Sequence, residues 1–132
     1  MTSSIYMLED DNDDRLLTRD ILDELKMDVN IRFFSSSNEL LNQIAVEKPA
    51  LVMVDYNSNP QNGIQVLKHL KSSAETSYMP VVILTESKSG NLRKECYQAG
   101  ASSVIVKPSD MLQTREKIQT FFSYWLNVVE VV

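Results

Sequence analysis

Asp55 closes an apolar run, Ala50-Leu51-Val52-Met53-Val54, and a short polar loop, Tyr56 to Asn62, separates it from a helical pattern opened by Gly63. A carboxylate at the C-terminal end of a buried strand is costly unless something compensates its charge. A second apolar stretch, Ile5-Tyr6-Met7-Leu8, runs straight into Glu9-Asp10-Asp11. If the two strand ends are neighbours, several carboxylates converge, and two unit charges ~4 Å apart repel by roughly 4 kcal/mol at an effective dielectric near 20. Such a cluster asks for a cation, and carboxylates supplemented by water suit Mg²⁺, which Glu9 and Asp10 would hold. Two further polar residues follow apolar runs: Thr85 after Val81-Val82-Ile83-Leu84, and Lys107 after Ser103-Val104-Ile105-Val106. A carboxylate can act as a nucleophile toward phosphorus, forming an aspartyl-phosphate. A hydroxyl, an ammonium and a metal ion would then meet the phosphoryl oxygens, because phosphoryl transfer needs chiefly positioning and charge neutralisation.

The elements that must position these groups alternate along the chain. Ile5–Leu8 reads as a strand, and Leu16, Leu17, Ile21, Leu22 and Leu25 recur at helical spacing. Val29 to Phe33 alternates apolar and polar, so that strand is exposed on one side. Ser36 followed by Glu39 predicts a capping box and a second helix. The third strand is Ala50 to Val54, and a third helix after Gly63 carries Ile64, Leu67 and Leu70 on one face. Val81 to Leu84, a helix over about Leu92 to Ala99 ended by Gly100, and Ser103 to Val106 come next. A last helix, capped by Ser109 or Asp110, runs through Phe121, Phe122 and Trp125. Five strands alternating with five helices predict an α/β, doubly wound, flavodoxin-like parallel sheet of order 2-1-3-4-5. Its ligand crevice lies beyond the carboxyl ends of the strands, where Glu9, Asp10, Asp55, Thr85 and Lys107 all fall.

The chain has 132 residues, 43% of them hydrophobic and 23% charged, which suits one domain spanning 1–132 with no output domain attached. A net charge of −5 and a pI of about 4.8 argue against nonspecific nucleic-acid binding and against an anionic membrane surface. No apolar run reaches the ~20 residues of a membrane span, and the N-terminus lacks the features of a signal peptide. A single cysteine allows no internal disulfide. A cytoplasmic location is the simplest expectation.

Leu8-Glu9-Asp10-Asp11 followed by Arg15, and Val54-Asp55-Tyr56-Asn57 followed by Pro60 and Gly63, occur in order with Val82-Ile83-Leu84-Thr85 and with Ala99-Gly100-Ala101 through Val106-Lys107-Pro108. Together they resemble a response-regulator receiver domain of the stand-alone, single-domain type, the phosphorylated half of a two-component system. The resemblance covers essentially the whole chain. It implies that Asp55 is the phosphoacceptor and also a Mg²⁺ ligand, that Glu9 and Asp10 are the acidic metal pair, and that Asn57 lends its backbone carbonyl to Mg²⁺. Thr85 then corresponds to the switch hydroxyl, and Lys107 to the lysine that pairs with the phosphoryl group. It further implies a cis Lys107–Pro108 peptide, and a sensor histidine kinase or phosphotransfer protein as donor. Output would pass through a downstream protein partner or a phosphorelay, and autodephosphorylation would be the nearest approach to enzyme activity. Three positions depart from the pattern: Glu86 stands where a small residue is usual, Val104 where an aromatic is usual, and Pro60 one place late. Glu86 and Val104 favour an alternative, a receiver-fold interaction module without regulated phosphorylation.

Plainer readings accompany each residue. Asp10 could cap the first helix. Asp11, Asp13 and Asp14 read as solvated acids favouring a helix N-terminus. His69 reads as a surface residue and Cys96 as a small buried hydrophobe. A third function, an aspartyl-nucleophile phosphatase, usually places its general acid two residues beyond the nucleophile, where this chain has Asn57. The apolar end, Trp125 to Val132, suggests either a homodimer interface or docking onto the domain's own surface.

Overall fold

The structure, a computed structural model, describes residues 3–127. Its elements follow in the order β1 (Ser3–Leu8), α1 (Asn12–Leu25), β2 (Val29–Phe34), α2 (Ser37–Val46), β3 (Leu51–Asp55), α3 (Gly63–Lys71), β4 (Val81–Thr85), α4 (Gly90–Gln98), β5 (Ser103–Val106) and α5 (Met111–Asn127). The five strands form one parallel sheet in the order β2-β1-β3-β4-β5, as expected. The central strands are apolar at nearly every position because both faces of the sheet are covered. Alternation along each strand then sorts the side chains into two cores. Leu8, Val52, Val54 and Ile83 pack with Leu40, Ile44, Leu67, Leu70 and Cys96 of α2, α3 and α4. Ile5, Met7, Leu51, Met53, Leu84 and Ile105 pack with Ile21, Leu22, Ile118, Phe122 and Trp125 of α1 and α5.

That alternation determines which strand-end residues can meet. Glu9 follows Met7 by two, Asp55 follows Met53 by two, and Lys107 follows Ile105 by two. All three therefore continue the set that faces α1 and α5. Thr85 follows Ile83 and continues the opposite set. The register brings the ends level, with Leu8 beside Val54, Asp55 beside Leu84 and Thr85 beside Val106.

Side chains cap the N-termini of α1, α2 and α3, not always as the sequence suggests. Asp11 is the N-cap of α1, accepting from the amides of Asp13 and Asp14 at 2.8 and 3.1 Å, so the cap is Asp11 and not Asp10. Ser36 accepts from the Glu39 amide at 3.2 Å, which is one half of the expected capping box; the return bond from the Glu39 side chain is not among those formed by the described residues. Asn62 and Gln65 form a reciprocal capping box on α3. Gly100 sits just past α4 with φ of 107°, a conformation that only glycine adopts without strain. The exposed edge of β5 is covered: the Val104 amide donates to the Tyr97 hydroxyl at 3.1 Å, and Lys117 Nζ donates to the Val106 carbonyl at 2.7 Å. Cys96 is fully buried as anticipated, and burial pushes its thiol pKa up. His69 is exposed, also as anticipated.

The C-terminal aromatic stripe is largely internal. Phe122 and Trp125 are buried in the second core, while Tyr124 is exposed. Docking of this stretch onto the chain's own core therefore holds for Trp125 and Leu126. The remainder of the suggested interface, Val128–Val132, lies outside the described residues.

Gly63 offers a stability prediction. A Cβ added there would lie 2.9 Å from the Cα of Tyr56, and the Gly63 amide donates to the Tyr56 carbonyl at 2.8 Å. The backbone of the loop after β3 cannot yield without moving Asn57. Gly63→Ala is expected to cost about 1–3 kcal/mol, read as a lowered midpoint in urea denaturation at unchanged slope.

Candidate functional site

The C-terminal ends of β1, β3, β4 and β5 form the site. Glu9 is held from two sides: its amide donates to the Phe34 carbonyl at 3.0 Å, and its carbonyl accepts from Arg15 Nε at 2.6 Å. Arg15 also donates through Nη2 to Ser35 Oγ at 2.9 Å and lies over the Phe33 ring, so the guanidinium staples β1 to β2. The Glu9 side chain is 1% exposed. Its Oε2 accepts from the Asp11 amide at 3.3 Å, whereas the buried Oε1 has no hydrogen-bond partner. Burial first, and the charge of Asp55 second, push the Glu9 carboxyl pKa up to about 7; Lys107 pulls it part of the way back.

Asp55 is partly exposed, and its Oδ1 accepts from the Asn57 amide at 3.1 Å. The loop beyond is fixed by backbone bonds: Tyr56 amide to Leu84 carbonyl at 2.8 Å, and Ser58 amide to Asp55 carbonyl at 3.2 Å. Ser37 at the start of α2 anchors its far side, donating from its amide to the Asn59 carbonyl at 2.8 Å and accepting at Oγ from the Gln61 amide at 3.0 Å. A small cavity of about 10 Å³, lined by Leu8, Glu9, Asp10, Ser35, Asp55 and Ser58, lies between the two acidic strand ends. That is room for roughly one water-sized body.

Lys107 completes the group. Its Nζ lies 3.2 Å from Asp14 Oδ2 and 3.7 Å from Glu9 Oε1. No ion pair joins it to Asp55 among the described residues, although Asp55 lies close enough for its charge to act on the ammonium. Burial pulls the Lys107 pKa down, but Glu9, Asp14 and Asp55 more than offset this and the net shift is upward. Thr85 is buried, its Oγ1 accepting from the Ser87 amide at 3.0 Å. Its carbonyl accepts from the Lys107 amide at 2.7 Å, which ties the two strand ends together.

The structure thus brings Glu9, Asp55 and Lys107 into electrostatic contact and sets Asp10 and Asp55 on one cavity. Among the described residues no three His, Cys, Asp or Glu side chains are gathered closely enough to hold a metal ion by themselves. Two acids and solvent nonetheless suffice for Mg²⁺, which commonly keeps several waters. The buried Glu9 Oε1, with no hydrogen-bond partner and only the Lys107 ammonium at 3.7 Å, is the feature that fits a cation.

Two expectations need correction. Asp14 is not merely a solvated acid: it is the nearest partner of Lys107. It was missed because a helix N-terminus already explains an acid at that place. The sequence did hold a signal, since Lys107 lies in the strand set that faces α1. The Lys107–Pro108 peptide is not cis; the one cis bond among the described residues is Asn59–Pro60. A larger cavity of about 440 Å³ opens beside Lys107, with Asp14, Glu86, Lys88 and Met111 in its wall. Glu86 therefore shares a cavity with Lys107, but it does not line the small cavity that holds Asp55.

The sheet order, the converging strand ends and the lysine opposite them agree with what sequence comparison returns. The family of response regulator receiver domains matches residues 5–119. The chain belongs to the response-regulator receiver family. A response regulator from Hahella chejuensis is 31% identical and superposes with a TM-score of 0.89, with 96% of this chain and 97% of that one covered. The response regulator Rcp1, solved in a Mn²⁺-bound form, superposes with a TM-score of 0.93 at 20% identity, covering 98% and 99% of the two chains. The transcriptional regulatory protein CrdR of Helicobacter pylori is 26% identical over 93% of this chain, which spans 56% of that relative's length. As a receiver domain the chain is a component of two-component signal transduction. No helix among the described residues is long and apolar enough to cross a membrane.

Proposed function

We propose that this receiver accepts a phosphoryl group on Asp55 from a phosphohistidine donor, in a reaction that requires Mg²⁺. The observation that carries the reading is the convergence of one partly exposed carboxylate, Asp55, with a buried acid, Glu9, whose Oε1 has no hydrogen-bond partner, and an ammonium within charge range of both. An Asp55 carboxylate oxygen attacks phosphorus, the P–N bond to the imidazole breaks with its electron pair going to nitrogen, and the histidine leaves as the neutral base, its ring having taken one proton from solvent. Glu9, Asp10 and Asp55, with the Asn57 carbonyl, would hold the ion. When bound, the ion neutralises the acids and the charge on the phosphoryl oxygens. Lys107 and the Thr85 hydroxyl would meet the remaining phosphoryl oxygens. Rcp1 in its Mn²⁺-bound form lends support to a divalent ion here.

The donor would be a sensor histidine kinase or a phosphotransfer protein in the cytoplasm. Output would be the binding of a downstream protein, or onward transfer, driven by a shifted conformational equilibrium. Asn57 leaves no general acid for multiple turnover, so autodephosphorylation would be the limit of enzymic activity. A second reading, an interaction module without regulated phosphorylation, draws on Glu86 in the wall of the cavity beside Lys107 and on Lys107 engaged elsewhere. Intact-mass measurement after incubation with phosphoramidate separates the two. Addition of one phosphoryl group in Mg²⁺, absent in EDTA, is the expected outcome. An unchanged mass in both would establish the second reading.

A further inference from the structure

Lys107 is the only cation within ion-pair distance of the acidic strand ends among the described residues, and it is engaged by α1. Its shortest polar contact is Asp14 Oδ2 at 3.2 Å, a charge-assisted hydrogen bond in a half-buried setting. Glu9 Oε1 at 3.7 Å comes next, and Asp55 makes no direct contact. A phosphoryl group on Asp55 must therefore compete with Asp14 for the same ammonium. Asp14 is placed to do this by the fold. Asp11 caps α1, which leaves Asp14 in the first turn without a capping duty for its side chain, facing the strand set to which Lys107 belongs. Its neighbour Asp13 has the same charge at the same helix end, is exposed, and makes no ion pair among the described residues.

We propose that Asp14 is a positioning residue that holds Lys107 away from Asp55 in the unmodified chain, and so sets the affinity of the site for a phosphoryl group. This rests on the reading of Asp55 as phosphoacceptor. In the modified chain the ammonium leaves Asp14 for the phosphoryl oxygens. The cavity beside Lys107, walled in part by Asp14, Lys107 and Met111, gives the side chain room to move. Asp14 touches neither the phosphoryl group nor the ion; it acts through Lys107.

The test is titration of the full chain with beryllofluoride, a phosphoryl mimic, at saturating Mg²⁺, followed by backbone amide NMR shifts at Asn57 and Lys107. Asp14→Asn is expected to tighten binding by roughly fivefold, the weight of one partly exposed ion pair. Asp14→Glu, which keeps the charge, should return to within about twofold of the unsubstituted chain on the same scale. Asp13→Asn, which removes the same charge from the same helix end, should do likewise. In a Lys107→Ala background Asp14→Asn should change nothing, since coupling between two groups vanishes when one is absent. Binding by the unsubstituted chain with no gain in Asp14→Asn, or a gain that persists without Lys107, overturns the proposal and leaves the Asp55 reading standing. No beryllofluoride binding by the unsubstituted chain overturns both.

Discussion

Asp55→Asn is expected to lose phosphoryl incorporation from phosphoramidate completely, with the fold intact. An amide oxygen is a far weaker nucleophile toward phosphorus than a carboxylate, and carboxylate attack is what forms the acyl phosphate. The substitution is otherwise gentle. Asparagine keeps an Oδ1 that can accept from the Asn57 amide, as Asp55 does at 3.1 Å. It also removes the charge that, after burial, does most to raise the Glu9 pKa. The variant should therefore fold at least as well as the unsubstituted chain at neutral pH. Intact-mass spectra before and after donor treatment, with circular dichroism as the control for folding, check both parts. Persistent incorporation in a folded variant would move the acceptor to another acid, with Asp10 on the same cavity the first to examine.

Much of this site is legible in the sequence because strand ends are strong signals. Continuous apolar runs that stop at an acid, a threonine or a lysine place Glu9, Asp55, Thr85 and Lys107 at one rim once the sheet order is granted. The sorting of those residues by face was equally available, since it needs only counting by two from Met7, Met53 and Ile105. The partner of Lys107 was harder to read. Acids in the first turn of a helix are explained by the helix itself, so Asp14 does not stand out from Asp11 and Asp13. What separates the three is geometry: one caps, one faces solvent and one meets β5. The isomer of Lys107–Pro108 was not legible either, because it was carried over by resemblance and not deduced from the residues. Nor was the cover on the β5 edge. Val104 cannot supply a hydroxyl, yet Tyr97 on α4 brings one to the Val104 amide from a position seven residues back in the chain. Periodicity marks Tyr97 only as a surface aromatic, and such reach across elements leaves no local trace.

The second large effect concerns acidity. Mg²⁺ affinity is expected to rise by roughly tenfold between pH 6 and pH 8, because the ion binds the deprotonated carboxylate and must displace the proton. Burial and Asp55 raise the Glu9 pKa from 4.5 to about 7 in the folded, metal-free chain. The same shift sets the stability of that metal-free chain. A raised carboxyl pKa means that the folded state holds its proton more tightly than the unfolded state. The stabilisation is fully present below the unfolded value of 4.5, and it is lost as pH climbs through about 7. The metal-free chain should thus weaken by on the order of 1–3 kcal/mol across that window. Lys107 does not disturb it, since its raised pKa contributes stability that is lost only at strongly alkaline pH. Isothermal titration with Mg²⁺ at several pH values, set beside urea denaturation in EDTA, measures the two trends, which must run in opposite directions if one group governs both. Glu9→Gln should flatten both curves near pH 7, weakening the ion while strengthening the metal-free fold at pH 8. Should Glu9→Gln leave the slope of Mg²⁺ affinity with pH unchanged, the proton displaced by the ion belongs to another group, and Glu9 is not its ligand.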